Sequence, residues 1–187
     1  MLNNVVGVLS PYIAPSTNSY ESIATVTVGS GGSSTITFSS IPSTYTHLQI
    51  RYIARGTTSA TNTGLWIYFN SDTAANYSAH QLYADGSTVG SNAYGGNPTS
   101  STYVGYITAA TATASAFGVG VIDLLEYKNT NIYKTVRSLE GNDKNGSGNM
   151  NLRSLNWRST SAISTIVLQA ETGNLAQYSQ FALYGVK

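Results

Sequence analysis

The sequence predicts an all-β fold, an antiparallel jelly roll or β-sandwich with an extended N-terminal arm, and three observations carry that expectation. Roughly eight to ten short runs alternate apolar and polar residues, about ten residues apart. No amphipathic helical pattern separates them. Only 9% of the 187 residues are charged, against a usual quarter or so, while 41% are hydrophobic, about a quarter are Ser or Thr, and there are 18 Gly and 14 Tyr. Disorder couples low hydrophobicity with high net charge, which this chain lacks. Its strands therefore carry hydroxyls where most proteins carry ions. The length suits one core, divided as an arm over 1–19 and a domain over 20–187.

In the arm, Val5, Val6, Val8, Leu9, Tyr12 and Ile13 are apolar, but Pro11 and Pro15 break any regular element. Such a segment either folds back on its own domain or docks on a neighbour, because exposed Val, Leu and Ile are costly in water. The strand signal begins at Tyr20, and Gly29-Ser30-Gly31-Gly32 reads as a turn to a second run at Thr35–Phe38, making a hairpin. In THLQIRYIA, Leu48, Ile50, Tyr52 and Ala54 share one face; His47, Gln49, Arg51 and Ile53 share the other. GLWIYFN sets Leu65, Ile67 and Phe69 against Trp66 and Tyr68, so both faces carry bulk and one is expected to meet another layer or subunit.

Residues 71–86 show weak helical spacing at Tyr77, His80, Gln81 and Ala84, enough for a turn or two. The polar run 86–101 reads as a loop, with room for a short edge strand at Val89. Strands resume at Tyr103–Thr108 and over 117–127, where Gly118 and Gly120 share a face that another backbone can approach closely. YKTVRSLEG is the expected antiparallel partner, GNDKNGSGN a hydrophilic loop, and AISTIVLQA with QFALYGVK the closing pair.

Chemistry is sparse. A net charge of +1 gives no field to gather nucleic acid or an acidic membrane, and no run approaches the eighteen or so apolar residues of a span. The N-terminus lacks the basic and apolar regions of a signal peptide, so the chain is expected to be made in a cytoplasm. Cysteine is absent, so no disulfide contributes. His47 and His80 fall in no metal motif, and no cofactor or metal is expected. Asp123 and Glu126 fall on opposite strand faces, Asp85 and Asp143 read as turn residues, and no serine sits in a nucleophile elbow. The expectation is a protein without catalytic residues.

Ten of the seventeen charges lie between Asp123 and Arg158, with both signs present, which suits a protein contact. Arg137, Arg153, Trp157 and Arg158, with Trp66 and Tyr68, are the candidate subunit interface. Tyr94 and Tyr103 are candidate glycan contacts, since aromatic faces stack on sugars.

The segments SYESIATVTVGSGGSSTITFSSIPSTYTHLQIRYIAR, VIDLLEYKNTNIYKTVRSLEG and QFALYGVK together resemble small structural proteins and fibre-tip domains of tailed bacteriophages, over residues 19–187. The resemblance implies a jelly-roll module that forms a homotrimer, contacts a major capsid protein, and carries no catalytic residues. It implies no direct contact with nucleic acid or membrane. No heptad, collagen-like or β-helical shaft precedes residue 20, which favours capsid decoration on the outer surface of the phage head over a receptor-binding fibre tip that recognises a host glycan.

Overall fold

The computed structural model describes residues 19–96 and 102–187; the six apolar arm residues lie outside this range. Twelve strands and no helix occur among the described residues. They are β1 (Tyr20–Thr27), β2 (Thr35–Phe38), β3 (His47–Ala54), β4 (Asn62–Phe69), β5 (Tyr77–Ala84) and β6 (Val89–Gly95), then β7 (Tyr103–Thr108), β8 (Gly118–Leu124), β9 (Lys134–Asp143), β10 (Gly148–Trp157), β11 (Ile166–Ala170) and β12 (Gln180–Val186). An eight-stranded antiparallel sheet runs β1-β12-β3-β8-β9-β10-β5-β6, and a four-stranded antiparallel sheet runs β2-β11-β4-β7.

The hairpins β5/β6 and β9/β10 together extend the large sheet beyond β8. Without them two four-stranded sheets remain, β1-β12-β3-β8 and β2-β11-β4-β7, and each successive pair β1/β2, β3/β4, β7/β8 and β11/β12 is split between the sheets. The period-2 pattern explains the layers: Leu48, Ile50 and Tyr52 of β3 meet Ile36, Ile67 and Leu168 of the small sheet in one core. At one end Phe69, Tyr77 and Trp157 pack ring against ring, and Asp72 accepts the Trp157 Nε1–H at 2.7 Å.

The central position of residues 118–124 and the antiparallel pairing of β8 with β9 follow the sequence expectation. Close approach also holds at Gly118, where a Cβ would sit 3.1 Å from the Ile107 Cα; at Gly120 the neighbour is instead the Tyr52 ring. Four expectations fail. β1 and β2 do not form a hairpin, because β1 pairs with β12 and β2 with β11. β11 and β12 likewise lie in different sheets and do not pair. Residues 77–84 are a strand: the side chains that go inward are Tyr77, Ala79 and Gln81, a period of two that outweighs the weak helical spacing. Finally, β9 and β10 reach into the supposed loop 141–149, leaving only the short connection between Asp143 and Gly148.

The Ala-rich run after β7 is wound around one cation. Arg55 donates from Nη1 to the carbonyls of Thr113 (2.9 Å) and Ala116 (2.7 Å), and from Nη2 to those of Ala110 (3.3 Å) and Ala112 (3.0 Å). Four carbonyls on one planar fork hold the loop that a helix would otherwise have to satisfy internally. Arg55→Ala is expected to cost roughly 2 kcal/mol in urea unfolding and to speed amide exchange selectively over 109–117. Unchanged exchange there would show that the loop is held by other contacts.

Candidate functional site

Two features of the large sheet stand apart from an ordinary strand face. The first is on its outer surface. Because the strands are in register, Leu82, Leu152, Leu139 and Val121 form one transverse row, and Val89, Ala84, Met150, Gly141, Val119 and Ile53 form the next. Leu82, Leu139, Leu152, Met150 and Val119 are each about half exposed, and Val89 is 75% exposed. Four adjacent strands, β5, β10, β9 and β8, thus present an apolar band two residues deep, and its second row continues onto β6 and β3, where a one-sided antiparallel sheet normally presents polar groups. Part of it is the floor of a groove of about 1120 Å³, edged by the turns at Asp85-Gly86 and Gly146-Ser147 and by Phe117.

A polar ladder bounds the band on one side. Arg51 Nε donates to Gln49 Oε1 (2.8 Å), Gln49 Nε2 to Asp123 Oδ1 (2.8 Å), and Arg137 Nη2 to Asp123 Oδ2 (2.9 Å). Arg51 also lies over the rings of Tyr20 and Tyr184, at 5.4 and 5.2 Å. With these groups engaged among themselves, the row beside them is apolar from β5 to β8, between Ser91 on β6 and Arg51 on β3.

The second feature is inside. On the inner face of the same extension, Gln81, Arg153 and Ser138 form one row, followed by Asn151 and Glu140 in the next. Arg153 is 2% exposed and lies 5.0 Å from the Tyr106 ring and 5.6 Å from the Tyr103 ring, and none of its guanidinium nitrogens has a hydrogen-bond partner among the described residues. Glu140 accepts from Asn151 Nδ2 at one oxygen, and the other has no hydrogen-bond partner among the described residues. Burial pushes its carboxyl up to about 7, against smaller opposing effects of the Tyr106 backbone N–H, Arg153 and Asn151. Lys134, equally buried, shows the contrast: its Nζ donates to the carbonyls of Asn129 (2.5 Å), Ile132 (2.9 Å) and Thr160 (3.2 Å). The Lys134 cation is fully bonded, whereas among the described residues Arg153 meets aromatic faces and no hydrogen-bond acceptor.

The sequence-derived residues do not converge on one place. Tyr68, Arg153 and Trp157 lie in the interior of the single chain, while Arg137 and Arg158 are exposed and Trp66 is partly so. Arg153 and Trp157 are buried because their parity on β10 points inward, whereas Tyr68 shares the parity of Trp66 on β4, opposite Leu65, Ile67 and Phe69, and is covered by the rings of Trp66 and Tyr77. Tyr103 packs edge-on against Trp66, with Arg153 over its ring, and the half-buried Tyr94 packs partly against the core. His47 accepts the Glu126 backbone N–H at Nδ1 (3.0 Å), and His80 is exposed on β5. No group of three or more metal-ligating side chains occurs among the described residues. The outer band has no single sequence signature because it joins strands five apart in sequence, β5 to β10 and β3 to β8; its local sign is apolar residues of the wrong parity, such as Leu139 beside Ser138 and Leu152 beside Arg153. No protein-family model, curated protein or solved structure matches the chain.

Proposed function

We propose that the chain is a structural subunit of a tailed-bacteriophage virion, a jelly-roll decoration protein that trimerises on the outer surface of the head and bridges major capsid proteins. The observation that carries this reading is the strand order. Two four-stranded sheets with successive strands split between them, β1-β12-β3-β8 against β2-β11-β4-β7, support a double Greek-key jelly-roll reading, an architecture used by viral capsid and lectin domains. The low charge and the exposed apolar band support a protein that works within an assembly, since neither favours a freely diffusing monomer. The proposed action is mechanical and needs no catalytic residue, cofactor or metal: each added contact buries area that must be exposed again before the shell can open.

Quantitative mass spectrometry of purified particles tests the assignment through copy number relative to the major capsid protein. Hundreds of copies per particle are expected. A few to a few tens would overturn the head assignment and place the chain on the tail or a vertex, where recognition of a host glycan becomes the reading to test.

A further inference from the structure

We infer that the outer apolar band is the docking site for residues 5–13 of a second copy of this chain. The longer row of the band crosses six strands, hence five strand spacings, or about 24 Å, and both rows together cross the four strands from β5 to β8. Residues 5–13, VVGVLSPYI, span about 30 Å when extended and carry six apolar side chains of the size the band offers. Their chemistry also matches. The first twenty residues contain no Asp, Glu, Lys or Arg, so no charge has to be stripped of water when the segment meets a face whose two rows hold only apolar or small side chains from β5 to β8.

Direction selects a second copy over the chain's own domain. β1 runs from Tyr20 to Thr27, and it is Thr25 and Thr27, through Ala182 and Gln180 of β12, that are level with Arg51 and Ile53 and so with the two rows of the band. The chain that precedes Tyr20 therefore leaves from the end of the sheet away from its own band. In a closed symmetric assembly each copy gives one segment and receives one, so every band is covered and no unpaired segment remains. The inference concerns contacts between copies and does not depend on the virion assignment.

The chain has no cysteine, which makes disulfide trapping clean. Chains carrying only Val8→Cys are mixed with chains carrying only Leu139→Cys under mild oxidation, and the mixed dimer is identified by mass. A parallel mixture replaces the second partner by Thr37→Cys, an exposed position on the small sheet. At least tenfold more mixed dimer with Leu139→Cys than with Thr37→Cys is expected. Equal yields would overturn the inference, as would linkage that forms only within a Val8→Cys/Leu139→Cys double variant. A second measurement uses a Leu139→Asp/Leu152→Asp variant, whose changes face outward; it is expected to keep the parent's far-ultraviolet circular dichroism while losing self-association by light scattering. Retained association would also overturn the inference.

Discussion

Trp157→Ala is expected to lower the free energy of unfolding by about 3–5 kcal/mol, a large share of what holds a domain of this size together. The indole is 2% exposed, packs 5.6 Å from the Phe69 ring centroid, and stacks on Tyr77 at 6.5 Å and 19°. Its Nε1–H also ties β10 to the β4–β5 connection through Asp72, whose other oxygen accepts the Ala74 N–H while Asn76 Nδ2 shares the first. Truncation thus combines a cavity with a lost hydrogen bond to a carboxylate. Trp157→Phe separates the two: it keeps most of the packing and removes the donor, so it is expected to cost about half as much or less. Equal losses in denaturant titrations of the two variants would mean that the hydrogen bond, and not the packing, dominates.

The second large effect is on the pH dependence of stability, read through Glu140→Gln. Folding raises the Glu140 carboxyl from its ordinary 4.5 to about 7, principally through burial. The folded state then holds this proton more tightly than the unfolded chain does. Its contribution to stability is complete below about pH 4.5 and is lost as pH rises through about 7, a total of about 3 kcal/mol. Gln imitates the protonated group at every pH. The variant is expected to lack this decline and to be the more stable of the two at pH 8, with the curves converging near pH 5. Parallel stability curves for parent and variant between pH 5 and 8 would show that the Glu140 carboxylate is better compensated by Arg153 than the geometry indicates.

Most strands were legible because their parity is simple. In β3 every second residue from Leu48 to Ala54 is apolar and buried, as the alternation predicts; on the other face Gln49 is buried beside Asp123 and Ile53 is exposed in the band. β10 was not legible for the opposite reason. In NMNLRSLNW the inward positions are Asn151, Arg153, Leu155 and Trp157, and the outward ones include Met150 and Leu152, so polarity is inverted over half the strand and no alternation of the usual sense survives. That inversion is also the candidate site: the polar half of the inner face holds Arg153 and Glu140, and the apolar half of the outer face makes the band. Partnerships were harder still. Gly29–Gly32 looks like a hairpin turn, yet it carries the chain from one sheet to the other, and a turn sequence does not record which strand waits on the far side. The arm residues singled out from the sequence lie outside the described range, so their part here rests on composition and reach.

The place of β12 governs the order in which the protein can be completed. It is the last of the twelve strands to be synthesised, yet it sits between β1 and β3 and pairs with both, residue for residue from Gln180 to Val186 on the β3 side. Until those seven residues emerge, β1 has no ladder partner and β3 has one bare edge. Early segments must therefore wait, collapsed but unsealed, for the final one, and a ribosome that stalled before Gln180 would release a chain with an open seam through its larger sheet. Such a chain offers the quality-control machinery an open sheet edge that the chain with β12 in place does not have.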